Sequence, residues 1–252
     1  MTRIIVHIGA PKCGSTYLQR VLLRGRAALR DQGVDYPHGG QSHPGNGEMI
    51  YSLTRPWCTE RFASAHTLLF SHELLFAMAG KARRLAAIAQ CLQATVDLLC
   101  LLRPFDEQLF GDYSQNVKQA LAEGTTQDLS ERSYRQFVWA RQKQIRPAEF
   151  LDEWQAVLPM ATIHAHHHSD LRRAVETLCP ATRTLDWRVP AWRSNRSLPM
   201  EACENLLAGR AGTTARAGKD AGRTDQRRAW TRAVFAHEAE ALKMRYGLSL
   251  HG

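Results

Sequence analysis

The first twenty residues constrain the fold most strongly, because they combine a strand pattern, a glycine-containing loop and a helix pattern in that order. Residues 3–8 are apolar and rich in β-branched side chains, and residues 9–14 contain the glycines and proline of a turn. From Ser15 onward, apolar residues recur at helical spacing. Such a junction directs backbone N–H groups and the positive end of a helix dipole at an anion. The sequence therefore predicts a phosphate-binding loop between a strand and a helix.

The predicted loop also carries a lysine and two hydroxyl groups. Lys12 would add a full positive charge, and Ser15 and Thr16 would add hydroxyl donors. In the loop of nucleotide hydrolases the lysine stands immediately before the hydroxyl residue, whereas here it stands two residues before Gly14. The pattern therefore predicts an anion site that differs from that of ATP hydrolases.

Strands and helices alternate along the chain as in a parallel sheet with crossover helices. After the first strand, the apolar patterns predict a short strand or turn over residues 33–37 and strands over residues 67–71, 95–102 and 161–168. Ligands bind at the carboxyl ends of strands in such sheets, so we expect the loop, His72-Glu73 and Arg103 to converge on one crevice. The predicted fold is α/β, a three-layer sandwich with a central parallel sheet of the P-loop nucleotide-binding type.

The order Gly-Ala-Pro-Lys-Cys-Gly-Ser-Thr over residues 9–16 closely resembles the 5′-phosphosulfate loop of sulfotransferases, usually Pro-Lys-x-Gly-[ST]-[ST]. These enzymes use 3′-phosphoadenosine 5′-phosphosulfate (PAPS). The resemblance implies in-line sulfuryl transfer from PAPS to a hydroxyl acceptor, with no metal, and Lys12 as a catalytic residue that neutralises charge on the bridging oxygen. It also implies that the cofactor is held by Pro11, Lys12, Cys13, Gly14, Ser15 and Thr16.

The resemblance extends to the residues that would hold the 3′-phosphate of the cofactor. An arginine at the place of Arg103 grips this phosphate in the family, and a guanidinium suits phosphate geometry. The family's serine eight residues later is replaced here by Gly111. Ser114 lies one turn further along the predicted helix and could replace that serine, because positions three apart share a face. Otherwise the phosphate is held less well or by another donor.

His72 and Glu73 compete for the role of the general base that removes the acceptor's proton. Ser71-His72-Glu73 resembles the Ser-Ser-Glu of many bacterial sulfotransferases, which favours Glu73. The structural alternative is that Glu73 pairs with Lys12 or caps a helix.

We expect a single sulfotransferase-like domain over residues 1–252, with two long loops. Residues 38–59, rich in Gly, Pro, His and Ser, are predicted to form part of the acceptor pocket with little regular structure. Residues 209–228 are rich in Gly, Ala, Thr and Arg without apolar periodicity, which predicts a flexible basic loop, with disorder as an equal alternative.

The formal net charge of +9 fits a basic cleft for anionic ligands, the nucleotide and an acidic acceptor included, and equally a basic surface without a specific role. The basic residues are scattered, and the sequence shows neither zinc-finger spacing nor an aromatic RNA-binding signature, so we expect no nucleic-acid partner. No apolar run approaches the length of a membrane span, and the first residues lack the apolar core of a signal peptide, so a cytoplasmic location is expected.

The sequence leaves the acceptor open between a carbohydrate-like and another small hydroxyl compound, and it predicts no oligomeric state. Two other functions stay open: a P-loop kinase that uses ATP and magnesium, and a non-catalytic protein that binds an anion or glycan on the same fold. His164, His166 and His168 alternate along a predicted strand, where three imidazoles could bind zinc. We expect no metal, because sulfuryl transfer does not require one.

Overall fold

The structure is a computed structural model that describes residues 2–126, 133–188, 197–209 and 222–250. The chain divides into two compact units. The first comprises Met1–Leu102, Pro147–Arg193 and Met244–Leu248, and the second comprises Arg103–Arg146, Ser194–Lys243 and Ser249–Gly252. The single domain expected from the sequence stays a prediction beside this division.

A parallel sheet of five strands, counted over the described residues, forms the centre of the first unit. The strands are β1 (Arg3–His7), β2 (Val34–Asp35), β3 (Thr67–Ser71), β4 (Thr95–Leu102) and β5 (Thr162–His167), in the spatial order β2-β3-β1-β4-β5. Ile5 of β1 lies in register with Leu69 of β3 on one side and Asp97 of β4 on the other. The predicted strands over residues 67–71 and 95–102 are confirmed.

Helices flank this sheet, and the predicted α/β fold with a central parallel sheet is confirmed. In chain order the described helices are α1 (Ser15–Arg24), α2 (Arg26–Arg30), α3 (Arg55–Phe62), α4 (Arg83–Leu92), α5 (Phe105–Glu123), α6 (Tyr134–Gln142), α7 (Pro147–Val157), α8 (Leu171–Leu178), α9 (Met200–Leu207), α10 (Asp225–Val234) and α11 (Ala236–Tyr246). Ile5 of β1, Leu18 of α1 and Val175 of α8 line the same small interior space, so these helices pack on one face of the sheet. In the described parts of the chain, no helix combines the length and apolar character needed to cross a bilayer.

β1 lies at the middle of the sheet, where the strand order reverses. From β1 the chain goes first to β2 and β3 on one side and then to β4 and β5 on the other. In doubly wound sheets the crevice at this reversal, beyond the carboxyl ends of the strands, is where ligands bind. The residues that follow β1 and β3 therefore occupy the favoured position for a site.

The predicted loop over residues 38–59 contains more regular structure than the sequence suggests. A 3-10 helix spans Gly47–Tyr51, and α3 begins at Arg55. The side-chain oxygen of Thr54 accepts a hydrogen bond from the backbone N–H of Trp57, 3.4 Å away, and this contact caps α3. The expectation of little regular structure is therefore wrong for the second half of this segment.

The predicted basic loop over residues 209–228 also differs at its end. Residues 210–221 lie outside the described residues, but α10 begins at Asp225, where the Thr224 hydroxyl accepts a hydrogen bond from the Arg227 backbone N–H, 3.3 Å away. The last four residues of the predicted loop are thus helical.

A buried aspartate joins two helices of the second unit. Asp106 in α5 is completely buried, and its carboxylate accepts hydrogen bonds from Arg228 at 3.1 Å and from Arg232 at 3.0 Å, both in α10. A buried carboxylate is tolerated because cationic donors surround it. These contacts hold α5 and α10 together.

Candidate functional site

The loop between β1 and α1 turns through two residues with left-handed backbone conformation. Lys12 has φ of 66°, and Gly14, the residue before α1, has φ of 94°. This region of backbone space favours glycine, because it has no Cβ. A Cβ on Gly14 would also lie 2.8 Å from Cδ1 of Leu171, at the start of α8. The second glycine of the motif is therefore required by the turn and by its neighbour.

The amino end of α1 presents an unsatisfied hydroxyl. Ser15, the first residue of the helix, is 4% exposed, and its Oγ has no hydrogen-bond partner within the described structure. Thr16 beside it is exposed, and the first turn of α1 contains no acidic residue. Buried hydroxyls almost always have a partner, and the described residues do not supply one for Ser15, which suits a ligand atom at this position. Together with the free N–H groups of the helix end, it forms a place suited to an anion.

The remaining loop residues differ in exposure. Pro11 and Lys12 are half-buried, whereas Cys13 is 1% exposed and its Sγ lies 3.5 Å from the carbonyl oxygen of Pro11. Cys13 can therefore contribute to a ligand through its backbone, and Lys12 through its side chain.

The carboxyl ends of β1 and β3 are tied together beside this loop. The backbone N–H of His72 donates to the carbonyl oxygen of His7 at 3.0 Å, which continues the strand pairing one residue past β3. The His7 Nδ1 and the Ser71 Oγ are 2.8 Å apart. Burial lowers the pKa of His7 from 6.5 to about 4, although the nearby Glu73 carboxylate favours its protonated form. His7 is therefore a neutral, buried link between the two strands.

Glu73 is connected to α1, the helix that follows residues 9–14, which are called the anion loop below. The Nε2 of Gln19, a buried residue of α1, donates to the Oε2 of Glu73 at 3.0 Å. After Glu73 the chain forms a short 3-10 helix, Glu73–Leu75, and the indole N–H of Trp154 in α7 donates to the carbonyl oxygen of Phe76 at 3.0 Å. The structure thus brings Glu73 and α1 together, and the convergence of Glu73 with the residues of the loop itself stays a prediction.

His72 has a different role from Glu73. Its Nδ1 accepts a hydrogen bond from the backbone N–H of Leu74 at 3.1 Å, so His72 rather than Glu73 caps the 3-10 helix. Burial lowers the pKa of His72, partly offset by Glu73, so the ring is neutral at neutral pH. This hydrogen bond assigns the proton of the neutral ring to Nε2. The side chain then offers a donor and has no free lone pair.

His72 and Glu73 line a cavity of about 650 Å³ together with part of the predicted acceptor loop. This volume lies in the range usual for small-molecule sites. The imidazole ring centroids of His43 and His72 are 5.3 Å apart, and the Glu48 carboxylate lies 3.7 Å from the His72 Nε2. The other lining residues are Gln41, Gly45, Asn46, Met49, Ser52 and Leu74.

Asn46 fixes the wall of this cavity to the sheet. Its side chain is 1% exposed; its Nδ2 donates to the carbonyl oxygens of Pro37 at 2.8 Å and Leu69 at 3.0 Å, and its Oδ1 accepts from the backbone N–H of Ser71 at 2.7 Å. Sequence reasoning missed Asn46 and Gln19, because an Asn in a polar loop and a Gln in a helix carry no signal of such distant partners. For Asn46 the Gly residues on both sides gave a weak hint of close backbone approach.

Three predicted cofactor residues belong to the second unit. Arg103 lies within 3.8 Å of Glu107, and its Nε makes no hydrogen bond within the described structure. Gly111 and Ser114 are both buried in α5, and the Ser114 Oγ accepts a hydrogen bond from the backbone N–H of Leu198 at 2.6 Å. The convergence of these three residues with the anion loop stays a prediction.

The histidines of β5 do not form the three-imidazole set considered from the sequence. His168 lies beyond the end of β5. The His164 Nε2 is 2.7 Å from the Oδ1 of Asp97, and the Oδ2 of the same carboxylate accepts a hydrogen bond from the Nε of Arg3 at 2.6 Å. Across the described ranges, no group of three or more His, Cys, Asp or Glu is arranged to bind a metal ion.

A second cavity of about 640 Å³ lies at the amino-terminal side of β4, near Thr95 and Val96. Its described lining is mostly alanine and other apolar residues and includes no ionisable side chain. Of these two cavities, the one beside Glu73 is the one whose described lining contains ionisable side chains.

Comparison with known proteins gives one result. No family model matches the chain, and no curated protein matches it. Among solved structures, the chain is similar to a sulfotransferase from Alicyclobacillus acidocaldarius, with 12% sequence identity, a TM-score of 0.44, and coverage of 97% of this chain and 95% of that one. A similarity of this degree does not assign a function, so the function must be argued from the site.

Proposed function

We propose that the protein is a sulfotransferase that moves the sulfuryl group of PAPS to a hydroxyl of a carbohydrate-like or other small acceptor. The observation that carries the proposal is the buried, unpartnered Ser15 hydroxyl at the amino end of α1, behind a loop that contains Lys12. The loop and the amino end of α1 together offer one cation, two hydroxyls and backbone N–H groups, which suit a 5′-phosphosulfate group. The loop order of residues 11–16 supports PAPS rather than ATP, because the lysine precedes the second glycine.

In this proposal the loop holds the donor and the turn after β3 activates the acceptor. Glu73 takes the proton of the acceptor hydroxyl while its oxygen forms a bond to sulfur, and the bond between sulfur and the bridging phosphate oxygen breaks. Lys12 neutralises the negative charge that develops on that bridging oxygen. The electron pair leaves with 3′-phosphoadenosine 5′-phosphate, for which we propose Arg103 and Ser114 as 3′-phosphate ligands.

The contacts of His72 support Glu73 as the base. The lone pair of the His72 Nδ1 is already used by the Leu74 N–H, whereas the Glu73 carboxylate faces the cavity and receives one hydrogen bond from Gln19. A base needs a free lone pair in reach of the hydroxyl. We therefore assign His72 the role of a donor that orients the acceptor from Nε2.

The test is calorimetric titration of the intact chain with 3′-phosphoadenosine 5′-phosphate in the absence of metal, beside a titration with ATP and magnesium. Lys12→Ala and Ser15→Ala are compared with Lys143→Ala and Ser64→Ala, two exposed residues outside the loop. We expect metal-independent binding of the bisphosphate that weakens roughly tenfold or more in the two loop variants alone. Tighter binding of magnesium-ATP would favour a kinase, and nucleotide binding without turnover would favour a non-catalytic protein.

A further inference from the structure

The charges around the acceptor cavity are opposite in sign to those of the chain as a whole. The chain has 33 Lys and Arg and a net charge of +9. None of these 33 basic residues is among the described residues that line the cavity, but two carboxylates, Glu48 and Glu73, are. We infer that this cavity selects hydroxyl acceptors that carry no negative charge, an inference that rests on the proposed function.

Among the described residues, the lining provides no lysine or arginine that would cancel the two carboxylates. The His72 imidazole, whose Nε2 lies 3.7 Å from Glu48, is neutral at neutral pH, because its burial outweighs the attraction of the carboxylates. Glu73 receives a hydrogen bond from a neutral amide, that of Gln19, rather than from a cation. Both glutamates thus add negative potential to the cavity that a bound molecule experiences.

The consequence for recognition follows from Coulomb's law. A carboxylate or sulfate on the acceptor would approach two like charges, and a protonated amine would be attracted by the same pair. Because the Glu48 side chain is 72% exposed, solvent and salt weaken its contribution, whereas the half-buried Glu73 is screened less. The basic composition led to the expectation that an acidic acceptor would also be attracted, and the cavity lining argues against it.

The experiment uses three p-nitrophenyl β-D-glycosides that differ in charge: the glucoside, the glucuronide and the 2-amino-2-deoxyglucoside. Their binding to the intact chain is measured by saturation-transfer NMR at neutral pH, with and without saturating 3′-phosphoadenosine 5′-phosphate. We expect the glucuronide to bind roughly tenfold more weakly than the glucoside, and the amino sugar at least as tightly as the glucoside. Equal or tighter binding of the glucuronide, or no binding of any of the three, would overturn the inference.

Two charge-reversal variants locate the effect. Glu48→Lys is expected to reduce the preference for the glucoside over the glucuronide roughly threefold or more, with a smaller change at high salt. The matched control is Glu60→Lys, at an exposed residue of α3 outside the cavity, which should leave the preference unchanged. An equal effect of both variants would assign the preference to the overall field of the protein and overturn the inference.

The nucleotide arm separates this inference from the proposed function. If the bisphosphate binds but the three glycosides do not show the expected order of affinities, the charge selection is wrong and the sulfotransferase proposal stands. If the order is present but the bisphosphate does not bind, the cavity selects by charge and the sulfotransferase proposal fails.

Discussion

The Nε2 of Gln19 donates a hydrogen bond to the Oε2 of Glu73 across 3.0 Å, which joins the helix after the anion loop to the proposed base. Gln19 is fully buried one turn beyond Ser15, on the same helix. The two halves of the proposed reaction, donor binding and acceptor activation, share one structural element.

Gln19→Glu places a second carboxylate beside Glu73 with almost unchanged shape. Repulsion between the two groups raises the apparent pKa of the pair, so the rising limb of the rate–pH profile is expected to move to higher pH by about one unit. The measurement is the pH dependence of sulfuryl transfer, with Gln90→Glu on the exposed side of α4 as the control. A limb that stays in place would argue against Glu73 as the base.

Glu73→Gln removes the proposed base but retains the shape of the side chain. We expect kcat to fall roughly 10² to 10⁴-fold, with affinity for 3′-phosphoadenosine 5′-phosphate almost unchanged. His72→Gln is expected to cost less than roughly tenfold, since His72 only orients the acceptor. Steady-state kinetics and calorimetry on the two variants and on Glu60→Gln provide the comparison. A larger loss at His72 would reverse the assignment of the two roles.

The stability of the chain is expected to depend on pH through His7. Its pKa is about 4 in the folded chain and near 6.5 when unfolded, so the unfolded state binds more protons between these values. The contribution, about 3 kcal/mol, is fully present above pH 6.5 and is lost as the pH falls towards 4. The lowered pKa of His72 acts in the same direction.

Urea unfolding at several pH values tests this dependence. In His7→Gln the slope of the unfolding free energy against pH, between pH 4 and 6.5, should decrease by the equivalent of about one bound proton. The control His237→Gln changes an exposed residue and should keep the original slope. An unchanged slope in His7→Gln would show that other groups cause the dependence.

Gly14→Ala is expected to destabilise the chain more than Gly40→Ala. Both glycines have positive φ, 94° and 85°, so both alanines carry backbone strain of about 1 kcal/mol. A Cβ at Gly14 would meet Leu171 at 2.8 Å, whereas a Cβ at Gly40 has nothing within 4 Å. We expect an additional loss of about 1–2 kcal/mol and weaker nucleotide binding for Gly14→Ala. Equal losses of unfolding free energy would mean that Leu171 moves aside without cost.

Asp106→Asn removes the charge that two arginines share inside the second unit. We expect a loss of about 1–3 kcal/mol in unfolding free energy, because the fully buried carboxylate gives up its charge-assisted hydrogen bonds, whereas the Arg228 and Arg232 side chains are 26% and 45% exposed and keep part of their hydration. The control is Asp152→Asn, whose carboxylate pairs with Arg245 at an exposed position and should cost less than about 1 kcal/mol. Thermal or urea unfolding compares the two, and similar losses would contradict the expected effect of burial.

The central strands were predictable because strands buried on both faces of a parallel sheet are continuous apolar runs. β3 is such a run, and β4 is one apart from Asp97; each ends at the residue that the sequence predicted. The starts of α3 and α10 were missed for the opposite reason: these helices begin in polar segments, and their caps, Thr54 and Thr224, resemble ordinary loop residues. Their position depends on tertiary packing more than on local pattern.

The loop between β1 and α1 was predictable because its residues, from Pro11 to Thr16, are adjacent in sequence, whereas anion binding by this loop stays a prediction. The contact between Gln19 and Glu73 spans 54 residues and exists because β1 and β3 are neighbours in the sheet. No local pattern encodes that pairing. The same holds for Asn46, whose partners lie on β3 and after β2.

The attachment of the cavity wall at Asn46 separates reactivity from recognition in this fold. Glu73 is positioned by β1, β3 and α1, whereas residues 41–52 are fastened to β3 through Asn46 and contribute most of the remaining lining. Substitutions at the exposed lining residues of that segment, Gln41, Glu48 and Ser52 among them, can change the shape and charge offered to the acceptor. A Cβ at Gly45 would lie 3.0 Å from the Nε2 of Gln19, and a Cβ at Gly47 would lie 2.7 Å from the Cβ of His72, so these two positions are tied to the proposed base and its neighbour. A lineage that retained Asn46 and both glycines could thus acquire new acceptors by altering the exposed residues alone, while its proposed chemistry stayed the same.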